Sequence, residues 1–271
     1  MVFNADETCL NRAMSATDTI PTAAVLIIGN EILSGRTPDR NLNVIAQKLQ
    51  AVGVRLTEAR VVADVEADIV AAVNALRGPY TYVFTTGGIG PTHDDITAAS
   101  IAKAFDVPLL EHPEAFARLM TYYTPANLNA ARRRMALMPL GAALIDNSAS
   151  VVPGFRMDNV YVMAGVPDIM RAMLDSVAAE LRHGPAIYTA SVACSLAEGA
   201  VADDLAALAA RYPQLDIGSY PSFRLGKIGL ALVVRGVEGA MVAAAAAEVA
   251  ALVLHHGGEP VVEMPDSAKR P

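Results

Sequence analysis

The stretch TTGGIGPTHDD, residues 85–95, combines residue types that could bind a phosphate or a metal ion. Its three glycines can adopt positive φ angles, which would let neighbouring backbone N–H groups turn toward one ligand. Its two adjacent aspartates repel each other, and a divalent cation would offset that repulsion. The same residues could also form only a tight turn, with one aspartate capping the following helix. A phosphate site, a metal site and a simple turn therefore all remain open at this point.

The glycines favour a backbone anion site over the two common nucleotide-binding loops. The stretch lacks the lysine and the spacing of the GxxxxGK[ST] loop, and it lacks the third glycine of GxGxxG. N–H groups around Gly87, Gly88 and Gly90 could surround an anion, and the start of the next helix would add a partial positive charge. We call this predicted site the anion cradle.

Asp94 and Asp95 are the candidate catalytic and metal-binding residues. Neighbouring side chains on a helix diverge by roughly 100°, so both carboxylates need not bind one ion. One could hold a ligand hydroxyl or cap the helix while the other contacts a divalent cation, for which we expect magnesium, manganese or cobalt. Such a cation would polarise a phosphoryl group and activate water for hydrolysis.

A second candidate is the loop GNEILSGRTPDRN, residues 29–41, which directly follows an apolar run. The charged Glu31 at this place could bind a metal or a ligand, or it could cap backbone amides or pair with Arg36. Asn41 could contact the ligand or serve as the N-cap of the next helix. A third candidate is AGVP, residues 164–167, where Gly165 and Pro167 could form a third wall of the cleft or only a turn.

The elements that must position these residues alternate in type. Strands are predicted at 22–29, 54–63 and 80–86, and amphipathic helices follow each of them, with the third helix over 95–105. Such alternation predicts a parallel sheet with right-handed crossovers, in which ligands lie beyond the carboxyl ends of the strands. The first two candidate loops both follow predicted strand ends. Residues 111–138 are predicted to be helical, with a break near Pro125.

The pattern changes after Gly184, so we predict a second domain. Residues 185–264 read as strand, helix, strand, strand, helix and strand, which is typical of a small ferredoxin-like α+β domain. The predicted organisation is a disordered leader over 1–20, the ligand-binding α/β domain over 21–184, the α+β domain over 185–264 and a tail over 265–271.

Composition narrows the class of protein. The chain has 271 residues, a formal net charge of −7 and two cysteines. The negative charge argues against nucleic-acid binding, and the few cysteines and the absence of a signal-like start predict a cytoplasmic protein with no membrane segment. The five histidines show no triad spacing and no GxSxG turn occurs, which argues against acyl transfer. The basic run Arg132–Arg134 could be a solvated helix face or could face a phosphate.

Four stretches resemble one family in their order along the chain: IIGNEILSGRTPDRN, TTGGIGPTHDDITAASIAKAF, RMALMPLGA and AGVPDIM. They are similar to the MoaB/Mog-like molybdopterin-binding domain, and more narrowly to the amino-terminal domain of CinA (competence/damage-inducible) proteins. A related domain precedes the catalytic part of eukaryotic FAD synthases. The stretch IGSYPSF, residues 217–223, is similar to the region after this domain in those proteins, so the resemblance covers residues 22–265.

The resemblance implies a three-layer α/β/α sandwich with a mostly parallel sheet that binds molybdopterin or a nucleotide at its strand ends. It implies that Thr86, Gly87, Gly88 and Gly90 hold a phosphate and that Asn30, Glu31, Ser34 and Asn41 correspond to the first loop of the CinA pattern. Together with Thr92, Gly165 and Pro167, these residues form the predicted ligand-binding set, and their residue types and positions predict Glu31, Asp94 and Asp95 as the metal-binding residues. The chain departs from the CinA pattern at Ser150-Val151, where a Gly-Thr pair is usual, and at Ala164, where proline is usual. It is too short to hold the amidohydrolase domain of full-length CinA as well.

Three functions are compatible with these features. The double aspartate beside a phosphate site favours metal-dependent hydrolysis of a pyrophosphate such as ADP-ribose or FAD. The alternatives are a binding module without turnover and a molybdopterin adenylyltransferase of molybdenum cofactor biosynthesis. A homo-oligomer, specifically a dimer, is expected by analogy with the family.

Overall fold

The computed structural model describes residues 20–224 and 227–264. The predicted tail, and the predicted leader apart from its last residue, lie outside the described residues. The chain forms two compact units that divide between Gly184 and Pro185, except that residues 51–53, at the end of α2 and just after it, are grouped with the second unit. The first unit contains β1 Thr22–Ile28, α1 Asn30–Leu33, α2 Asn41–Ala51, β2 Arg55–Val62, α3 Glu66–Arg77, β3 Tyr82–Thr86, α4 Thr97–Ala104, β4 Leu109–Glu111, α5 Pro113–Tyr122, α6 Ala130–Arg134, β5 Leu137–Pro139, β6 Ala143–Ile145, β7 Gly154–Met157, β8 Val160–Met163 and α7 Pro167–Ala178.

The first unit is built around one mixed, mostly parallel sheet with the strand order β2-β1-β3-β8-β7-β6. Strand β1 pairs in parallel with both β2 and β3, and β3 pairs in parallel with β8. Strands β7 and β6 extend the sheet in antiparallel fashion. The predicted α/β class with a mostly parallel sheet is confirmed.

Strand β1 lies inside the sheet between β2 and β3, and both of its faces are covered. Its residues from Ala23 to Ile28 are all buried, as expected of a strand with helices on both sides of the sheet. Ala24, Leu26 and Ile28 face a core that includes residues of α3 and α4. On a covered strand the apolar run needs no alternation, which is why the sequence predicted this strand without an amphipathic pattern.

The prediction of helix over residues 111–138 was wrong at both ends. Two helices, α5 and α6, occupy the middle, but strands β4 and β5 flank them and pair antiparallel, with Leu109 opposite Pro139. Local periodicity cannot reveal a pairing between segments so far apart in the chain, and a three-residue strand carries almost no period of its own. The pairing brings α6 back toward the start of this segment.

The second unit contains β9 Tyr188–Cys194, α8 Glu198–Arg211, β10 Asp216–Arg224, β11 Lys227–Gly236, α9 Gly239–His255 and β12 Val261–Glu263. Its four strands form an antiparallel sheet in the order β10-β11-β9-β12. Buried residues of α8 and α9 pack with those of β9 and β11 in one core. The small α+β domain that the sequence predicted is confirmed, and its sheet is antiparallel.

Within residues 20–224 and 227–264, no helix combines the length and the apolar character that crossing a bilayer requires.

Candidate functional site

The carboxyl ends of β1, β3 and β8 meet at one edge of the first sheet. The chain leaves β1 toward β2 on one side, whereas β3 lies on the other side, so β1 and β3 flank the point where the strand order reverses. Ligands of open α/β sheets bind at such a point. A Cβ atom added to Gly87 would lie 2.1 Å from the carbonyl oxygen of Ile28, and one added to Gly165 would lie 3.3 Å from the Cα atom of Gly87. The three candidate loops therefore lie side by side.

The anion cradle follows β3 directly. Thr86 is the last residue of β3 and is buried, and Gly87 and Gly88 have φ angles of 104° and 67°. The Gly87 N–H donates to the carbonyl oxygen of Met163 on β8. In contrast, the N–H groups of Gly88 and Ile89 donate to no group among the described residues, and neither does that of Gly90. Three consecutive donors are thus left for a ligand or for water.

Thr97, a residue that the sequence analysis missed, determines the direction of these donors. Its side chain is fully buried, and its hydroxyl donates to the carbonyl oxygen of Gly87 over 2.9 Å. Its backbone N–H donates to the carbonyl oxygen of Gly88 over 3.0 Å. In a trans peptide the C=O and the next N–H point in opposite directions. The N–H groups of Gly88 and Ile89 therefore point away from the start of α4.

Asp95 folds back onto the cradle loop and leaves α4 uncapped. Its Oδ2 atom accepts hydrogen bonds from the N–H of Thr92 over 2.7 Å and from the hydroxyl of Thr92 over 2.5 Å. Helix α4 begins at Thr97, and no side chain caps its first turn. A Cβ atom added to Gly90 would lie 2.7 Å from Asp95 Oδ2. The alternative in which an aspartate is only a helix cap therefore does not describe this loop.

Asp94 is exposed, and its pKa is lowered. Hydrogen bonds from Thr92 and from its own backbone N–H hold the pKa of Asp94 below its ordinary value, and the adjacent His93 contributes to the same effect. The Nδ1 atom of His93 lies 3.9 Å from Oδ1 of Asp94. The hydroxyl of Thr92 thus lies within reach of both carboxylates, and its single proton can be donated to Oδ2 of Asp95 or, after rotation of the hydroxyl, to Asp94.

Replacing Thr92 by valine is expected to raise the pKa of Asp94, since the largest cause of its lowering is lost. A lowered pKa means that folding favours the ionised carboxylate. The ionised Asp94 carboxylate therefore contributes to stability above the ordinary aspartate pKa, and this contribution is lost as the pH falls through the lowered pKa of the folded state. The measurement is an NMR titration of the Asp94 carboxyl carbon. Thr121→Val is the control, because the Thr121 hydroxyl bonds the carbonyl of Arg118 instead. An unchanged Asp94 pKa in Thr92→Val would show that the Thr92 hydroxyl is not the group that lowers it.

The loop after β1 contains the short helix α1, which the sequence analysis did not predict. The N–H of Asn30 donates to Oδ2 of Asp64 over 2.8 Å. Asp64 follows the end of β2, and the rule that polar groups gather at strand ends could have identified it. The carboxylate of Glu31 folds back over Gly29, where an added Cβ atom would lie 2.6 Å from its Oε2 atom. Ser34 directly follows the last residue of α1, and its hydroxyl donates to the carbonyl oxygen of Glu31.

Asn41 joins the first loop to the third. It is 5% exposed, and its Nδ2 atom donates to the carbonyl oxygen of Gly165 over 2.8 Å. Its Oδ1 atom is buried and has no hydrogen-bond partner among the described residues. The capping role that was the alternative for Asn41 belongs to Asp39, whose Oδ2 atom accepts from the N–H of Leu42. An orphaned buried acceptor costs stability unless a ligand or water supplies a donor.

Three exposed apolar residues neighbour site residues in the chain, and we call Leu33, Val65 and Val166 the apolar rim. Each is about half exposed, and each is near a site residue in the chain: Leu33 ends α1, Val65 follows Asp64, and Val166 lies between Gly165 and Pro167. Pro167 is the first residue of α7, where a backbone N–H would have no partner within the helix, so the missing N–H of proline removes no hydrogen bond. The edge thus offers donors for an anion together with apolar side chains.

The carboxylates do not gather into a metal centre. Across residues 20–224 and 227–264, no three His, Cys, Asp or Glu side chains lie close enough together to hold an ion. Asp95 is committed to Thr92, and Glu31 lies over Gly29. The three predicted metal ligands, Glu31, Asp94 and Asp95, are therefore not brought together as one set.

Comparisons with known proteins give consistent matches. Residues 24–183 match the family model described as "Probable molybdopterin binding domain", and residues 186–257 match the model described as "FAD synthase, middle domain". The chain is 33% identical over 209 residues to a CinA-like protein of Desulfosudis oleivorans, a match that covers 72% of this chain and 51% of that one. It is 30% identical over 242 residues to a "Probable FAD synthase" of Caenorhabditis elegans, covering 79% and 47%.

Among solved structures, the crystal structure of CinA from Thermoplasma acidophilum, a protein of unknown function, is similar to this chain with a TM-score of 0.56 and 31% identity. That match covers 59% of this chain and 96% of the other. The chain spans about half the length of the CinA-like protein and of the FAD synthase relative.

Proposed function

Because the chain belongs to the family described as "Probable molybdopterin binding domain", we propose that it binds a pterin or a nucleotide through a pyrophosphate or phosphate group. The observation that carries this proposal is the row of N–H groups at Gly88, Ile89 and Gly90 that have no partner among the described residues, the first two of which Thr97 directs away from α4 at the switch point of the sheet. Backbone donors arranged in this way bind oxyanions without a net positive charge on the protein.

The rest of the ligand is expected to be a fused heterocycle. The two matched families carry the names of molybdopterin and FAD, and both compounds join a phosphate to a fused ring system. The apolar rim of Leu33, Val65 and Val166 offers the kind of surface on which such a ring packs. The buried Oδ1 atom of Asn41 would accept a hydrogen bond from a ring N–H or a hydroxyl of the ligand.

Turnover of the ligand is the second candidate function. The exposed carboxylate of Asp94, kept ionised by its lowered pKa, favours metal-dependent hydrolysis of a pyrophosphate such as ADP-ribose or FAD. A divalent cation, when bound, would supply the polarisation of the phosphoryl group. The described carboxylates do not form a set of three ligands for such an ion, so we derive no catalytic step through it. Transfer of AMP onto molybdopterin is the third possibility.

One panel of ligands separates these functions. ADP-ribose, FAD and ATP are titrated into the protein by calorimetry, each with magnesium, manganese or cobalt, and products are followed by chromatography. Binding without product supports the proposed binding function alone. Release of AMP supports hydrolysis, and AMP appearing on added molybdopterin supports adenylyl transfer. If none of the ligands and no molybdopterin binds, the proposal is wrong. Light scattering of the same samples tests the predicted homodimer.

Asp94→Ala is expected to remove any dependence of binding or turnover on the divalent cation while leaving the melting temperature nearly unchanged. The reason is that Asp94 is exposed and lies at the end of the cradle loop. The control is Asp203→Ala, which removes an exposed carboxylate of α8 in the second unit. Full metal-dependent activity in Asp94→Ala would exclude a catalytic or metal-binding role for this residue.

A further inference from the structure

The three consecutive arginines of α6 have separate roles. The guanidinium of Arg132 donates to the carbonyl oxygen of Asn127 over 2.5 Å and lies 4.6 Å from the ring centre of Tyr123. The guanidinium of Arg133 forms an ion pair with Glu111 over 2.5 Å. Both side chains are thus occupied by contacts with residues outside the cradle loop.

Arg134 differs because it reaches the cradle loop. Its Nη2 atom donates to the carbonyl oxygen of Pro91 over 2.8 Å, across 43 positions of the chain. Among the residues that the structure describes, no carboxylate lies within 4.0 Å of its guanidinium. Its positive charge is therefore uncompensated by an ion pair, and four of its five N–H donors remain for other partners.

The contact also holds one peptide of the loop from both sides. The carbonyl of Pro91 accepts from Arg134, and the N–H of the same peptide, which belongs to Thr92, donates to Asp95. No cis peptide bond occurs in the described chain, so these two groups point in opposite directions. Arg134 and Asp95 thus bind the Pro91–Thr92 peptide from opposite sides and fix the loop immediately after Gly90.

The cradle needs a cation for an electrostatic reason. The stretch 85–95 contains no lysine or arginine, yet it ends in two aspartates. A phosphate that approaches the N–H groups of Gly88, Ile89 and Gly90 is repelled by those carboxylates, and the chain as a whole carries a net charge of −7. The Arg134 guanidinium is bound to the carbonyl of Pro91, the residue that follows Gly90 in the chain, and its positive charge opposes that repulsion.

The geometry points to Arg134 as the residue that supplies positive charge to the anion cradle and holds its loop in the binding conformation. This inference rests on the proposed function, because it assigns a phosphate-recognition role within that site. Arg134 acts in two ways, through its hydrogen bond to the carbonyl of Pro91 and through its positive charge beside the cradle loop. Both effects strengthen the binding of the phosphate part of the ligand and not the binding of its ring.

The test compares Arg134→Gln with Arg132→Gln, which removes the same charge from the same helix without touching the cradle loop. Inorganic pyrophosphate is titrated into both variants and into the unchanged protein by calorimetry at several salt concentrations. A charge-assisted hydrogen bond corresponds to about tenfold or more in affinity, so Arg134→Gln should bind pyrophosphate at least that much more weakly. Its affinity should also depend less on salt. Arg134→Lys, which keeps the charge, should recover part of the loss.

Hydrogen exchange provides a readout that needs no ligand. In Arg134→Gln the Thr92 amide should exchange faster than in the unchanged protein, because the hydrogen bond from Arg134 to the carbonyl of Pro91 is lost. In Arg132→Gln the exchange rate of the Thr92 amide should stay unchanged. Pyrophosphate affinity within twofold of the unchanged protein, together with unchanged exchange, would overturn the inference, as would an equal loss of affinity in Arg132→Gln. If the unchanged protein binds neither pyrophosphate nor any ligand of the panel, the proposed function fails, and the exchange rates alone then decide whether Arg134 holds the loop.

Discussion

Alanine at Gly87 is expected to lower the free energy of unfolding of the first unit by at least about 3 kcal/mol, or to prevent its folding. Two costs combine at this residue. Its φ angle of 104° is unfavourable for any residue with a side chain, and the new Cβ atom would lie 2.1 Å from the carbonyl oxygen of Ile28. That oxygen belongs to a central buried strand, so neither backbone can move without disturbing the pairing of β1 with β3. The measurement is urea denaturation followed by circular dichroism.

Gly35→Ala separates the cost of the positive φ angle from the cost of the close contact with Ile28. Gly35 also has a positive φ, 72°, but an added Cβ atom would meet no atom within 4 Å. Its replacement should therefore cost only about 1–2 kcal/mol, the penalty of the left-handed conformation. If Gly87→Ala were no more destabilising than Gly35→Ala, the close approach of β1 and the cradle would be wrong. In that case the position of the cradle at the sheet edge would have to be revised.

Asn41→Ala is expected to weaken ligand binding by about tenfold or more while lowering the free energy of unfolding by only about 1 kcal/mol. The small effect on stability arises from losing one hydrogen bond, from Nδ2 to the carbonyl of Gly165, while also removing the unpartnered Oδ1 atom. The larger effect on binding arises because Oδ1 is the buried acceptor that a ligand donor would satisfy. Calorimetry with the tightest ligand of the panel measures the first quantity, and thermal denaturation measures the second.

Two further variants make the Asn41 prediction specific. Asn43→Ala makes the same chemical change on an exposed position of α2, two residues further along the chain, and should leave affinity unchanged. Asn41→Asp keeps an acceptor but loses the donor to Gly165, so it should separate the ligand contact from the bridge between the two loops. Equal affinities for Asn41→Ala and the unchanged protein would show that Oδ1 does not face the ligand.

Much of the fold was predictable because it depends on local patterns. The alternation of apolar strands and amphipathic helices predicted the α/β class, and the change of pattern after Gly184 predicted the second, α+β unit. The family resemblance is confirmed by the match over residues 24–183. The short strands β4 and β5 were missed because their stability comes from each other, across a long segment, and not from any period within three residues.

The glycine spacing and the double aspartate predicted from sequence alone that a loop suited to binding an anion follows the third strand, and that function stays a prediction. The orientation of that loop depends on contacts that no local pattern encodes: the Thr97 hydroxyl on the Gly87 carbonyl, the Asn41 amide on Gly165, and Arg134 on Pro91. These pairs lie 10, 124 and 43 positions apart in the chain. Residue types are properties of the chain, whereas the direction of an N–H group depends on what holds the neighbouring carbonyl, and only the tertiary structure brings those partners together.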